Sequence, residues 1–569
     1  MTLAEFQKIL KKNKIDAYLI TRNNMFLGQD ILPEENKIME LTGFSGSAGN
    51  LIVFRDKAVL FVDGRYEIQS KLETNPEEVE VHCTKAASFF SWLVQNYCSA
   101  GKQLKLCFDP WCWSIRDYNF YSRSCGDCVK FIEDDKQLLG SRIFATENTD
   151  FELDISYAGV GSEEKIAGIC RFLQQNKLQA YLFTAADSVS WILNRRSRTL
   201  PDSPVVRSYL LVTADGQTHH ISDFGCDIKN IAAKLRRLLK KYKKQTLGLS
   251  FDNTPQKIIS LLSKDGCKNI PDPAIAEKAV KNPVELQGMI NAHRRDAVAV
   301  IEFLSRFEQN RKKMSELDVV EQLLTQRKKQ NLFFSGSFET IAGSGPNGAI
   351  VHYAPTVRSN RMLDDDSLLL LDSGAQYYDG TTDITRTLAL GTPSPQMVED
   401  FTIVLKSHIA LASSLFPEKT EGQALDAVCR RELWLHGKNY NHGTGHGVGC
   451  FLNVHEGPHS LSPKAPAQPF KAGMVTSIEP GYYKENAYGI RIENLYYVAP
   501  AEETGLEIPM LRFVPLTLVP IDKHLINKYL LNEGEILWLN DYHQKVYNEL
   551  RPLVSEEVSN WLKEACSPL

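Results

Sequence analysis

From residue 367 the chain runs through an unbroken apolar stretch, Ser367-Leu368-Leu369-Leu370-Leu371-Asp372, and then loses it in Ser373-Gly374-Ala375-Gln376-Tyr377-Tyr378-Asp379-Gly380. Strand-forming residues return in Thr382-Asp383-Ile384-Thr385-Arg386-Thr387. Two apolar runs of strand length around a turn-rich stretch predict a β-hairpin. With its turn centred near Tyr377 and Tyr378, Asp372 and Asp383 stand opposite each other and point to one face. The pattern recurs where Val475-Thr476-Ser477-Ile478-Glu479 leads through Pro480-Gly481-Tyr482-Tyr483 to the alternating run Gly489-Ile490-Arg491-Ile492-Glu493-Asn494-Leu495. A second hairpin, centred near Asn486, puts Glu479 opposite Glu493. Between the hairpins lies His442-Gly443-Thr444-Gly445-His446-Gly447-Val448-Gly449, whose four glycines let backbone and ligands come close.

Helical spacing dominates elsewhere. It predicts amphipathic helices over the first twelve residues, from Glu285 to Asn310 and from Glu535 to Lys563. In the basic stretch 234–244, Leu235, Leu238, Leu239 and Tyr242 recur at helical spacing. That stretch reads as a docked helix with a solvated basic face, not as a membrane or nucleic-acid site. Residues 10–21 match residues 173–184 at seven of twelve positions, in each case a helix end feeding a strand. Two similar α/β domains in tandem follow from this repeat.

At 569 residues the chain exceeds one core and predicts two to four domains. It is 43% hydrophobic and 24% charged, with net charge −4. This balance argues against a nucleic-acid partner. The N-terminus lacks the apolar core of a secretory signal and no apolar run approaches membrane-spanning length, so a cytoplasmic enzyme with no membrane partner is expected. The twelve cysteines are expected to be reduced, mostly packed thiols. Cys125 and Cys128 have the C-x-x-C spacing of a zinc or redox site, but Cys107 and Cys112 fall in a run that reads as buried strand and turn.

Composition leaves one chemical problem. Opposed acids in apolar strands are costly unless a cation lies between them. Any one of these acids alone would read as a solvated loop residue. Asp372, Asp383, Glu479 and Glu493 together with His446 form an oxygen-rich set with one imidazole, which suits Mn, Co, Fe or Zn and disfavours Cu(I) and iron–sulfur clusters. Four carboxylates balance two divalent cations, the charge count of a dinuclear hydrolase with a bridging water or hydroxide.

The two acid hairpins, the glycine-rich His442–Gly449 phrase and Asn453-Val454-His455-Glu456-Gly457-Pro458 together resemble the pita-bread metallopeptidases, most closely the long three-domain Xaa-Pro aminopeptidases. The resemblance covers essentially the whole chain and is strongest from about 335 to 500. It implies an α/β and α+β multidomain fold: two creatinase-N-like domains at 1–153 and 154–270, a pita-bread catalytic domain at 271–505, and a C-terminal extension at 506–569. By position it implies Asp372 on one metal, His446 and Glu479 on the other, Asp383 and Glu493 bridging the pair, and Glu479 as general base. His352 and His455 would contact the scissile peptide, where an imidazole can donate to a developing oxyanion or to the leaving nitrogen. His442 and Arg491 would brace the metal shell. The implied activity is removal of the N-terminal residue from peptides with proline second, with two divalent ions, Mn foremost and Co, Fe or Zn possible. Proline-containing peptides are the implied partners, and dimer contacts are assigned to the C-terminal extension, making a homodimer. A prolidase acting on Xaa-Pro dipeptides and a catalytically silent peptide-binding relative are the alternatives. Two departures from the family's usual text, Cys450 and Ser477-Ile478, are expected to touch no ligand.

Overall fold

The repeat in the sequence is also a repeat of backbone. In the computed structural model, which describes residues 1–84, 89–97, 103–140, 142, 144–242, 246–262, 266–364 and 367–569, the helix Leu3–Lys12 opens on a capping box of Thr2 and Glu5. It ends at Asn13, whose side chain donates to Ile9 O at 2.9 Å, and Lys14 at φ +57° turns the chain into the strand Ala17–Thr21. In the second copy the helix Ser162–Gln175 ends at Asn176, which donates to Phe172 O at 2.9 Å. Lys177, again at φ +57°, leads into the strand Ala180–Phe183. Left-handed backbone at a non-glycine residue is uncommon, so its recurrence at matching positions marks one local design used twice.

Each of these strands lies inside its own sheet. Ala17–Thr21 sits in a six-stranded sheet ordered Val79–Cys83, Ala58–Val62, Asn50–Phe54, Ala17–Thr21, Leu104–Phe108, Val129–Glu133. Ala180–Phe183 is the middle strand of a five-stranded sheet, between Ser208–Thr213 and Leu247–Leu249. Both sheets belong to one compact body, Met1–Glu152, Val160–Leu200 and Val205–Ala274. The basic stretch is helical there over Ile228–Leu239, burying Ile231, Leu235 and Leu239, while Lys234, Arg236 and Arg237 face solvent. Lys243 and Lys244 lie outside the described residues.

The cysteine expectation needs one correction. Cys128 is disulfide-bonded, and Cys125 is not its partner, because Cys125 is free. Burial pushes the thiols of Cys125 and Cys107 up to about 11 and about 12, so neither is a ready thiolate.

A second body comprises Leu153–Gly159, Pro201–Pro204 and Ile275–Leu569. Its long helix, Pro283–Asn310, starts at an Asn282–Glu285 capping box with proline in the first turn. Two sheets carry the acidic residues. One is ordered Ile341–Ser344, Leu368–Ser373, Ile384–Ala389; the other Leu415–Pro417, Met510–Pro515, Asn494–Pro500, Val475–Ile478, Gly445–Gly447, Glu456–Leu461. Leu368, Leu369 and Leu371 are buried in one core with Ile490, Ile492, Leu539, Tyr542, Val546 and Leu562. The C-terminal region therefore completes the hydrophobic cover of the first of these sheets. Its helical pattern from 535 to 563 is two helices, Glu533–Leu550 and Glu556–Ala565, separated by a 3-10 turn at Arg551–Leu553. Pro552 cannot donate to a continuing helical ladder.

The first predicted hairpin is real, but its register is not the expected one. Asp372 faces Thr385, Gln376 faces Thr381 and Tyr377 faces Gly380. The tip thus lies between Tyr378 and Asp379, one residue later than the sequence suggested. Moving a tip by one residue shifts the pairing by two, which preserves the faces. The second hairpin keeps the expected register: Ile478 faces Asn494 and Gly481 faces Arg491, placing Glu479 and Glu493 at matching positions between the two ladders. Its tip falls at Asn486, at φ +58°.

Candidate metal centre

The ligand atoms of Asp383, His446 and Glu493 lie within 4.8 Å of one another, the one such group of three or more metal-ligating side chains among the described residues. Asp383 directly precedes the strand Ile384–Ala389, and His446 is the middle residue of the short strand Gly445–Gly447. His446 Nδ1 lies 3.0 Å from Gly447 O. A carbonyl only accepts, so in the neutral ring the proton sits on Nδ1 and Nε2 is left with its lone pair. That Nε2 is 3.5 Å from Asp383 Oδ2 and 3.8 Å from Glu479 Oε1. Glu493 Oε2 accepts from Thr385 Oγ1 at 2.7 Å. Asp372, at the end of Leu368–Ser373, accepts from Arg491 NH2 at 2.5 Å.

This arrangement leaves negative charge in excess. Four carboxylates gather with Arg491 as the guanidinium among them. Burial and the neighbouring Asp372 and Glu479 push the Asp383 carboxyl well above its ordinary range. Burial, then Asp383, Glu479 and Asp372, do the same to Glu493. Asp372 Oδ1 and Asp383 Oδ1 are buried with no hydrogen-bond donor, a costly state for a carboxylate oxygen. Orphaned oxygens, mutual repulsion and an imidazole lone pair aimed inward are the features of a divalent-cation site. The five residues fit that role.

Comparison with known proteins gives this geometry a family. Residues 287–500 match the model of metallopeptidase family M24, and 509–569 match the C-terminal region of that peptidase. Residues 3–142 and 144–285 each match the creatinase/prolidase N-terminal domain. The probable Xaa-Pro aminopeptidase P of Laccaria bicolor is 32% identical over 100% of this chain and 93% of its own length. The Xaa-Pro aminopeptidase 1 of Dictyostelium discoideum is 32% identical over 99% of this chain and 96% of its own. The chain belongs to the Xaa-Pro aminopeptidase family. Its fold matches the crystal structure of the X-prolyl aminopeptidase of Caenorhabditis elegans, described as a cytosolic enzyme with a di-nuclear active site. The TM-score is 0.91 at 30% identity, covering 98% of this chain and 95% of the other.

Around the acids of this Xaa-Pro aminopeptidase family member runs a chain of polar contacts. Arg491 NH1 donates to Tyr483 Oη at 2.7 Å, and Tyr483 Oη lies 2.8 Å from His442 Nε2. His442 Nδ1 is 4.0 Å from Glu479 Oε2. Burial pushes the Tyr483 phenol up to about 12, so it stays protonated. Arg491 NH1 also donates to Val351 O at 3.2 Å, tying the backbone beside His352 to the Asp372 anchor. The ring of His455 stands edge-on to His446 at 4.3 Å. The other three imidazoles between residues 352 and 459 lie elsewhere: His408 bonds Tyr496 Oη, His436 bonds Glu432 O and His459 bonds Val475 O.

Ser477 corrects an expectation. Its Oγ accepts from His446 N at 3.0 Å and approaches Glu479 Oε1 at 3.4 Å, so this departure from the usual family text touches two of the expected ligands. Cys450 Sγ approaches the carbonyls of Glu285 and Asp379. Tyr483, Thr385 and Arg386 were not singled out by sequence, because one hydroxyl or guanidinium in a strand carries no charge clash to announce it. Arg386 is buried; it donates to Glu493 O at 2.7 Å and to Asn494 Oδ1 at 2.8 Å on one side, and to Val519 O, Pro520 O and Tyr542 Oη on the other. One guanidinium thus joins the C-terminal region to Glu493 and to the strand Asn494–Pro500 that follows it.

Removing the phenol in Tyr483→Phe breaks the link between Arg491 and His442. Turnover is expected to fall about 10-fold with metal content unchanged, as read by steady-state kinetics and elemental analysis. Unchanged kcat would mean that the link does not matter to the reaction.

Proposed function

We propose that this chain removes the first residue from peptides whose second residue is proline, using two divalent cations held by Asp372, Asp383, His446, Glu479 and Glu493. The observation that carries this reading is the convergence of Asp383, His446 and Glu493 within 4.8 Å among buried acids. The di-nuclear site named for the C. elegans relative supports it. In this reading Asp383 and Glu493 would be held in common by both cations, Asp372 would hold one, and His446 and Glu479 would hold the other. The cations would supply Lewis acidity and lower the pKa of a water.

The chain's own residues do the rest. Glu479 takes the proton from the attacking water and hands it to the proline nitrogen, which as a tertiary amide nitrogen has to be protonated to leave as a secondary amine. His352 and His455 donate hydrogen bonds to the scissile carbonyl oxygen as it gains charge. His442 and Arg491, joined through Tyr483, hold Glu479 and Asp372 in place. Manganese is the metal we favour, with Co, Fe and Zn accepted by the same ligands. A homodimer and a cytoplasmic location complete the proposal, the latter supported by the cytosolic description of the C. elegans relative.

The test is chelation followed by reconstitution with each metal, assayed on a Xaa-Pro-Xaa tripeptide, its Xaa-Ala-Xaa counterpart and a Xaa-Pro dipeptide. Activity on the proline tripeptide should vanish with chelation and return with metal, at least about 100-fold above the alanine peptide. Hydrolysis of the dipeptide alone would make the chain a prolidase. Release of no amino acid with any metal would remove the enzymatic reading.

A further inference from the structure

A buried carboxylate that the proposed reaction does not use stands directly after His455. Glu456 is 3% exposed, and its Oε1 accepts from Lys281 Nζ at 2.5 Å while Oε2 lies 2.8 Å from Lys278 Nζ. Both lysine side chains are 1% exposed. Lys281 Nζ is fixed further by Lys278 O at 3.0 Å. Two ammonium groups and one carboxylate are thereby taken out of water together. An apolar trio of similar volume would serve stability as well or better, so stability alone does not account for the arrangement.

Its surroundings tie it to the site. His446 pairs with Ser460, yet the next residue, Gly447, pairs with Glu456, so Gly457-Pro458-His459 bulge out of the ladder between them. A Cβ on Gly447 would meet Glu456 O at 2.2 Å, and one on Gly449 would meet Glu456 Oε2 at 3.0 Å. The Glu456 backbone therefore rests on the residue after the ligand His446, and its side chain rests under the same glycine-rich phrase. With Glu456 pinned inward, the exposed His455 is turned the other way, where its ring stands 4.3 Å from that of His446.

We propose that Glu456, clamped between Lys278 and Lys281, is the positioning residue that sets His455 against His446 for work on the scissile peptide. This rests on the reading of His446 as a metal ligand and His455 as a donor to the substrate. Glu456 touches neither substrate nor cation; it acts through the imidazole beside it.

Two variants test it. Lys278→Met/Glu456→Met/Lys281→Met removes the ion triad and keeps its volume, and Glu456→Asp keeps both ion pairs on a stem one carbon shorter. Each is made with and without His455→Ala. The triple variant should melt at or above the wild-type temperature and keep full metal content by elemental analysis, with KM within about threefold and kcat down about 10- to 100-fold. Glu456→Asp should lose kcat in the same direction. In both backgrounds His455→Ala should add little further loss, the non-additive result of two changes acting through one group. Wild-type kcat in the triple variant, or losses that multiply with that of His455→Ala, would overturn the proposal. His455→Ala at the wild-type rate would overturn the reading of His455 and this proposal together. A low melting temperature with loss of metal in the triple variant would identify a purely structural triad, unless Glu456→Asp still shows the kcat loss at normal metal content and non-additivity with His455→Ala.

Discussion

Asp383→Asn is expected to abolish turnover and, at the same time, to raise the melting temperature of the metal-free protein. The two effects have one origin. Asp383 is buried beside Asp372 and Glu479, and both burial and those neighbours disfavour its charged form. Without a cation its negative charge is a liability to the fold, and its Oδ1 has no donor. An amide of the same shape removes the charge, so metal-free protein should gain a few degrees, about 2–4 °C for each kcal/mol relieved in a domain of this size. The same change removes a proposed shared ligand, so turnover should fall at least about 1000-fold and bound metal should drop. Glu493→Gln should behave alike, since burial and the same acids act on it. The check is differential scanning fluorimetry with and without Mn, beside elemental analysis. Wild type should be stabilised by metal and the variants much less. Normal metal stoichiometry and turnover in both variants would sink the assignment of shared ligands.

Acid should destabilise the fold steeply, and His543→Gln should soften the effect. Burial pushes His408 and His543 down to about 3 and His293 and His459 down to about 4. In the unfolded chain each titrates near 6.5. Because the folded pKa values are depressed, the unfolded state takes up these protons first, and stability is lost as pH falls from about 6.5 toward 4. Once the unfolded imidazoles are charged, each contributes about 1.4 kcal/mol per pH unit, roughly 5 kcal/mol per unit for the four. Protonation of the repelling acids Asp383 and Glu493 in the native state works in the opposite direction, so the net slope is smaller. His543 isolates one contribution. Its Nε2 accepts from Ile521 N at 3.0 Å, a bond that a glutamine carbonyl can replace, while its Nδ1 has no partner. Urea unfolding should show the stabilities of wild type and His543→Gln diverging by about 2 kcal/mol between pH 7.5 and 5, the difference in slope approaching about 1.4 kcal/mol per pH unit only toward pH 5. Parallel pH profiles would show that His543 does not remain neutral in the fold.

Much of the architecture was legible because local rules carried it. The repeat at 10–21 and 173–184 showed two related domains, and the matching asparagine ends and left-handed lysines gave that repeat its backbone meaning. The second hairpin was placed correctly because an alternating strand and a turn residue able to take positive φ agree on one centre. The first was misplaced by one residue because Ser373–Gly380 offers several turn positions, and only the ladder between Ala375–Tyr377 and Gly380–Thr381 selects one. The C-terminal pattern failed at Pro552, where the spacing of apolar residues continues across a break in the backbone.

The sequence by itself determined that four carboxylates and a histidine share one problem of charge, because acids recurring in apolar strands are unstable alone. It also determined the family, since the phrases that hold those residues keep their order. The tertiary structure decided what surrounds them. Tyr483 joining Arg491 to His442, Ser477 touching both His446 and Glu479, Arg386 joining the C-terminal region to Glu493, and Glu456 held between Lys278 and Lys281 all link residues tens to hundreds of positions apart. Hydroxyls and paired charges have no period and no clash to reveal them in one dimension. They acquire a role only when folding removes water and each polar atom has to find its partner within the protein.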